Sequence, residues 1–433
     1  MSITRFEASG PLRGSLRPPS DKSISHRAAL IAAMGDDWTE VRGYLDAADT
    51  RSTLAAVEAV GAQIENTDPG RIAGELRIRG VGLRGAGPAT IDVGNAGTLL
   101  RLLPGWLAGQ VGGRWTLDGD DSIRRRPVDR IAVPLRQMGA ELSAREDRLP
   151  PLEIEGAALH GIAYEMPIAS AQVKSCLLFA GLLADGETRL VESLPSRDHT
   201  ERMLAAAGAD VRRDGLAVSV QPAERLEPGL IAVPADISSA AFFIVASLLI
   251  SGSEVVLRGV GVNQTRTGVL TILERMGADL VEGEVTGEHG GEPTADLEVR
   301  SSSLQATEVG GAEIPLAIDE LPLVALAACF AEGTTVIRDA EELRRKESDR
   351  IETVTAALRA LGGAVEPTKD GMEIEGTGGL RGGRIDSHGD HRIAMLGAVA
   401  GLASKEGVEV VGMDAAAVSY PGFEDDLGSL LGR

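Results

Sequence analysis

Apolar residues along this chain gather in six stretches rich in Ala and Leu, each followed by a glycine and then a short, largely β-branched run. The glycines are Gly35, Gly112, Gly186, Gly252, Gly333 and Gly407, a repeat of about 74 residues, the length of one supersecondary unit. After them come Trp38-Thr39-Glu40-Val41, Trp115-Thr116-Leu117, Thr188-Arg189-Leu190-Val191, Glu254-Val255-Val256-Leu257, Thr334-Thr335-Val336-Ile337 and Val408-Glu409-Val410-Val411, which read as strands following apolar helices. A second series runs out of phase with the first. Gly61-Ala62-Gln63, Gly139-Ala140-Glu141, Gly208-Ala209-Asp210, Gly277-Ala278-Asp279 and Gly362-Gly363-Ala364 end helix-like segments, where a glycine can take the left-handed conformation without a Cβ clash. Two helices and several short strands per copy, six times over, predict a pseudo-symmetric α/β protein.

The polar residues just ahead of the apolar helices carry the first chemical signal. They are Ser20-Asp21-Lys22-Ser23, Asn95-Ala96-Gly97-Thr98, Ser170-Ala171-Gln172, Asp236-Ile237-Ser238-Ser239, Ile318-Asp319-Glu320 and Gly389-Asp390-His391-Arg392. Ser, Asp and Asn there serve as N-caps, and that accounts for Asp236, Ser238 and Ser239. It does not account for Lys22, Arg27 or Arg392, because the positive end of a helix dipole disfavours cations. Cations at helix N-termini make sense around an anion that backbone N–H groups and side chains hold together.

Length and charge then bound the answer. A chain of 433 residues exceeds one core, so two domains of roughly 200 residues each, three repeats apiece, are expected. The crossings between them fall near residues 9–19 and 231–235, and a strand over residues 2–7 returns to the C-terminal half. Residues 282–294, rich in Gly and acid, read as a solvated hairpin loop. With 64 Asp and Glu against 43 Lys and Arg the net charge is −21, which argues against nucleic acid and anionic membranes. Any anionic ligand must meet a local basic site on an acidic background. Cys176 and Cys329 lie in apolar stretches and read as buried thiols, with no disulfide or zinc spacing. No signal-peptide core opens the chain and no apolar run spans a membrane, so a cytoplasmic protein is expected.

Seven constellations hold the candidate chemistry. Pro18-Pro19 stiffen the approach to Lys22, Ser23 and Arg27, the last two one turn apart on one helix face. Lys22-Ser23 is not a phosphate-binding P-loop, since Asp21 stands where that motif has glycine. Gly94-Asn95-Ala96-Gly97-Thr98 lets the backbone approach a ligand. Arg124-Arg125-Arg126-Pro127 is a cation run made conspicuous by the acidic background. Ser170-Ala171-Gln172 and Ser196-Arg197-Asp198-His199 supply hydroxyl, amide and basic groups suited to a phosphorylated, polyhydroxylated ligand. Asp319-Glu320 heads an apolar helix, where burial can raise a carboxylate toward a useful basicity. Lys346, Glu347 and Arg350, with Arg392, offer forked donors for carboxylate and phosphate beside proton carriers.

In order, Asp21-Lys22-Ser23-Ile24-Ser25-His26-Arg27, Gly94-Asn95-Ala96-Gly97-Thr98, Arg124-Arg125-Arg126-Pro127, Ala169-Ser170-Ala171-Gln172-Val173-Lys174-Ser175, Ser196-Arg197-Asp198-His199-Thr200, Ile318-Asp319-Glu320-Leu321-Pro322, Lys346-Glu347-Ser348-Asp349-Arg350 and Gly389-Asp390-His391-Arg392 resemble the signatures of the 5-enolpyruvylshikimate-3-phosphate synthase family. The resemblance implies a two-domain inside-out α/β barrel of six βαβαββ repeats. Residues 1–19 with 235–433 would form one domain and 20–234 the other, with the active site in the interdomain cleft. It implies transfer of the enolpyruvyl group of phosphoenolpyruvate to the 5-hydroxyl of shikimate 3-phosphate through a tetrahedral adduct, by a monomer with neither metal nor organic cofactor. By motif correspondence, Lys22, Ser23, Arg27, Ser170, Gln172, Ser196, Asp319 and Lys346 would hold shikimate 3-phosphate. Lys22, Gly97, Arg126, Gln172, Arg350 and Arg392 would hold phosphoenolpyruvate. Asp319 would be the base at the 5-hydroxyl, with Glu347 and Lys22 as proton carriers.

Ala171, Leu102 and Val418 depart from the family's commoner serine, proline and lysine, which is similar to a divergent bacterial branch; Gly97, kept here, implies sensitivity to glyphosate. Two rivals remain. The sister transferase acting on UDP-N-acetylglucosamine carries a reactive cysteine in the loop corresponding to residues 112–127, which this chain lacks, and Lys-Asn in place of Lys22-Ser23. A non-catalytic phosphometabolite-binding paralogue would have no use for carboxylates facing an anionic ligand.

Overall fold

The Ala- and Leu-rich stretches fold as six helices: α1 (Lys22–Met34), α2 (Gly97–Ala108), α3 (Ala171–Gly181), α4 (Ile237–Leu249), α5 (Leu321–Ala328) and α6 (His391–Ala403). The computed structural model describes residues 2–66, 74–287 and 291–432. Every residue of α1 after Ser23, and every residue of α4 before Leu249, is buried. A helix that is apolar all round belongs inside a core rather than on its surface. Small residues permit the close packing this requires: a Cβ at Gly105 of α2 would run into the carbonyl of Cys176 on α3.

Around the buried helices lie short sheets with one recurring order. Ala89–Asp92 runs parallel to Arg114–Asp118, which pairs antiparallel with Leu149–Glu155, itself antiparallel to Glu141–Arg145. The order first, second, fourth, third returns in the strands beginning at Ala163, Arg13 and Glu308. Three copies are closed by distant segments, one of them by Arg13–Leu16, the parallel neighbour of Glu254–Gly261. Leu230–Ala232 supplies the parallel neighbour of Trp38–Tyr44, and Ile3–Phe6 pairs antiparallel with Val408–Val411. The chain divides into two compact units: a first of Met1–Pro19, Ala235–Thr286 and Pro293–Arg433, and a second of Ser20–Pro234 with Gly287–Glu292. Each has its own core, with α4, α5 and α6 in the first and α1, α2 and α3 in the second.

Gly61, Gly139, Gly208, Gly277 and Gly362 all have φ between +90° and +110°, the conformation expected of glycines that end helices. The other series holds with one exception. Gly35 is extended at φ −72°, and what constrains it is space, because a Cβ there would meet Pro228 at 3.0 Å. The stretch 282–294 also departs from a simple solvated loop. Thr286–Gly287 pairs with Pro293–Arg300, and Glu292 is buried against His199 Nδ1 at 2.8 Å, whereas residues 288–290 lie outside the described residues. Cys176 and Cys329 are buried free thiols, which burial pushes up, to about 12 for Cys329. Among the described residues no helix is long and apolar enough to cross a membrane, and no group of His, Cys, Asp or Glu could hold a metal ion.

Candidate active site

In the second unit, Asp21 caps α1 by accepting from Ile24 N at 2.8 Å, which fixes where the helix starts and so where Lys22 and Arg27 emerge. Lys22 Nζ lies 3.1 Å from Asp49 Oδ2. Burial would raise the Asp49 carboxyl, but Lys22 outweighs it and holds the group below the usual range. Arg27 is buried, and its partners are neutral: Nη1 donates to Ser23 O at 2.9 Å, Nε to Thr200 Oγ1 at 2.7 Å and Nη2 to Ser175 Oγ at 2.9 Å. Burial without a contacting carboxylate pushes its pKa down to about 10. Beside it His26 is buried, with Nδ1 2.5 Å from Thr53 Oγ1, and desolvation lowers its pKa to about 3.

The turn into α2 brings Gly97 against Arg126: a Cβ there would lie 2.5 Å from Arg126 Nη1. Arg126 Nη2 donates to Asn95 Oδ1 at 2.9 Å, so of the arginine run this member faces the glycine turn, whereas Arg124 turns to Asp118 at 2.8 Å. Gln172, at the start of α3, accepts from Arg101 Nη1 at 2.6 Å and donates to Thr98 Oγ1 at 3.0 Å. Ser170 is the N-cap of α3, accepting from Val173 N at 3.4 Å. Ser196 Oγ donates a short hydrogen bond to Glu192 Oε1.

In the first unit, Asp319 precedes α5 without capping it. Its Oδ1 lies 3.2 Å from Lys346 Nζ and 3.4 Å from Arg350 Nη1. Asp319 stands at the head of an apolar helix, as the sequence indicates, and its immediate neighbours are cationic, because the segment carrying Lys346 and Arg350 packs beside the start of α5. Arg350 is buried and gathers further acids: Nη2 donates to Glu347 Oε2 at 2.6 Å and Nε to Asp390 Oδ2 at 2.9 Å. Burial would lower the Arg350 pKa, but Glu347, Asp390 and Asp319 raise it well above its ordinary value. Asp390 is fully buried; desolvation works against its charge, and Arg350 overrides that to lower its pKa. Asp390 Oδ1 also accepts from Arg392 N at 2.9 Å, capping α6. Arg392 Nη1 donates to Asp319 O at 3.0 Å and lies 3.6 Å from the buried Glu320 Oε1.

A model of the EPSP synthase (3-phosphoshikimate 1-carboxyvinyltransferase) family matches residues 6–427. The chain belongs to the EPSP synthase family. It is 50% identical over 417 residues to a 3-phosphoshikimate 1-carboxyvinyltransferase of Methylococcus capsulatus, covering 96% of this chain and 94% of that one. It is 48% identical over 440 residues to one from a Synechococcus strain, covering 99% of both chains. A solved EPSP synthase from Acinetobacter baumannii, 42% identical, superposes with a TM-score of 0.88 over 99% of this chain and 98% of that one. The repeats expected from the sequence are thus the inside-out α/β fold of EPSP synthases, with helices inside and sheets outside.

The sequence of this EPSP synthase family member names the candidate residues but not all that holds them. Thr98, Lys174 and Thr200 stand within its motifs and touch the candidate residues. Asp49, Arg101 and Glu192 touch them too and lie outside every motif. Lys174 carries a further signal, as a lysine four residues into an otherwise apolar buried helix.

Proposed function

We propose that this chain transfers the enolpyruvyl group of phosphoenolpyruvate to the 5-hydroxyl of shikimate 3-phosphate. The products are 5-enolpyruvylshikimate 3-phosphate and inorganic phosphate, in the shikimate pathway to aromatic amino acids. One observation carries the reading: in a chain of this family, the Asp319 carboxylate lies between Lys346 and Arg350 at 3.2 and 3.4 Å. A carboxylate beside the cations of an anion site offers a proton acceptor, which a site built only to bind anions has no need of.

In this reading Lys22, Ser23, Arg27, Ser170, Gln172, Ser196, Asp319 and Lys346 bind shikimate 3-phosphate. Phosphoenolpyruvate takes Lys22, Gly97, Arg126, Gln172, Arg350 and Arg392. Asp319 removes the 5-hydroxyl proton as that oxygen adds to C2 of phosphoenolpyruvate, and Glu347 or Lys22 protonates C3. The tetrahedral adduct then loses a C3 proton and expels phosphate, so the proton count closes without an external acid. Guanidinium forks match the carboxylate and phosphate of both substrates. The chain acts as a cytoplasmic monomer, a reading supported by a net charge of −21 that repels further copies.

Phosphate release from purified protein tests this, with phosphoenolpyruvate and either shikimate 3-phosphate or UDP-N-acetylglucosamine as acceptor. Release with shikimate 3-phosphate alone, lost in Asp319→Ala, is the expected result. Release with the sugar nucleotide would move the chain to the sister activity. Silence with both, despite binding, would make it a non-catalytic paralogue.

A further inference from the structure

Lys174 is buried on α3, which is otherwise close to wholly apolar, and its ammonium faces two buried glutamates. Nζ lies 2.8 Å from Glu192 Oε2, 2.7 Å from Glu201 Oε1 and 3.4 Å from the carbonyl of Ser196, and both carboxylates are themselves buried. Stability alone does not call for such a cluster, because a well-packed apolar trio is commonly as stable or more so once desolvation is counted. Its geometry does what an apolar trio cannot. Glu192 spends one oxygen on Lys174 and the other on the Ser196 hydroxyl, so the loop bearing Ser196 is tied to α3 through both side chain and backbone.

The residues next in sequence repeat the pairing. Ser175 follows Lys174 on α3, and Thr200 precedes Glu201 on the helix His199–Ala206. The hydroxyls of Ser175 and Thr200 lie 2.6 Å apart and both receive the Arg27 guanidinium. One lysine–glutamate contact therefore sets the register in which two helices present a hydroxyl pair to Arg27, while its second carboxylate holds Ser196.

We propose that Lys174, Glu192 and Glu201 are positioning residues that hold Ser196 and Arg27 in place for the phosphate group of the acceptor substrate, the Ser196 hydroxyl turning its one proton from Glu192 to the phosphate on binding. The proposal rests on the reading of Ser196 and Arg27 as ligands of that phosphate. Ordering the ligands before binding removes that cost from the binding step, so the cluster acts on affinity for the phosphorylated acceptor and not on the chemical step.

The test is steady-state kinetics on the full-length protein with Glu192→Gln, Ser196→Ala and the double variant. Losing the charge-assisted bonds to Glu192 should raise KM for shikimate 3-phosphate roughly ten-fold or more. kcat and KM for phosphoenolpyruvate should change by less than about two-fold. If Glu192 acts through Ser196, the double variant is no worse than Ser196→Ala alone. Should Glu192→Gln fail to fold, Glu192→Asp keeps the charge for Lys174 while withdrawing it from the hydroxyl, and carries the same expectation. An unchanged or lowered KM, independent addition of the two effects, or a joint fall of kcat, both affinities and melting temperature would each overturn the positioning role. A Ser196→Ala enzyme with normal KM would instead remove Ser196 from the ligand set, and the proposal with it.

Discussion

The two units surround their cations in opposite ways. In the second, Arg27 and Arg126 are held largely by neutral groups (Ser23 O, Ser175, Thr200 and Asn95), and Asp49 is the carboxylate beside Lys22. In the first, Lys346, Arg350 and Arg392 stand among Asp319, Glu347, Asp390 and Glu320. A guanidinium satisfied by hydroxyls and carbonyls keeps its charge available for a ligand. One satisfied by carboxylates is locally neutral, and the group left with chemistry to do is the acid. Under the proposed function the second unit would serve mainly to bind an anion, and the first to handle a proton while orienting one.

If that division holds, substitutions in the first unit strike turnover or folding, and those in the second strike affinity. Asp319→Ala should produce the largest effect, lowering kcat by about 10²- to 10⁴-fold as expected for a lost general base, a far larger loss than that in affinity for shikimate 3-phosphate measured calorimetrically. Comparable kcat in mutant and wild type would erase the comparison. Arg350→Met should cost about 3–5 kcal/mol of stability in chemical denaturation, because Asp390 would stay buried without its cation.

Arg27→Met is the counterpart in the second unit. Ser175 and Thr200 still satisfy each other at 2.6 Å, so the fold should survive. KM for shikimate 3-phosphate should rise roughly 10- to 100-fold, the worth of hydrogen bonds from a charged donor. A stability loss as large as that of Arg350→Met would show that the two guanidiniums are not held differently.

The last prediction concerns pH. His26 titrates near 3 in the fold and near 6.5 unfolded, so the unfolded chain binds a proton over that interval and the native one does not. Stability therefore falls as pH drops from about 6.5 toward 3, by up to about 1.4 kcal/mol per pH unit. Asp49 and Asp390, both lowered, contribute in the same direction below about pH 4, where the unfolded carboxylates take up protons first. Urea midpoints between pH 7 and 5 should show a shallower slope in His26→Gln than in wild type. Equal slopes would place the acid sensitivity elsewhere.

The sequence by itself determined the architecture and the catalogue of ligands. A period in apolar stretches and glycines is a local property, legible in each copy separately even where a distant segment supplies one of its strands. Lys22 and Arg392 were legible because cations at the starts of apolar helices have little structural use there, and Asp319, Lys346 and Arg350 through the motifs that carry them. Only the tertiary structure decided what surrounds each of these groups. It set Lys346 and Arg350 within 3.4 Å of Asp319, took Arg124 out of the arginine cluster, and buried Glu292 against His199 in a stretch that reads as solvated. Periodicity reports which face of an element is apolar. The charge nearest a buried carboxylate depends on how segments far apart in the chain are packed, and no local pattern encodes that distance.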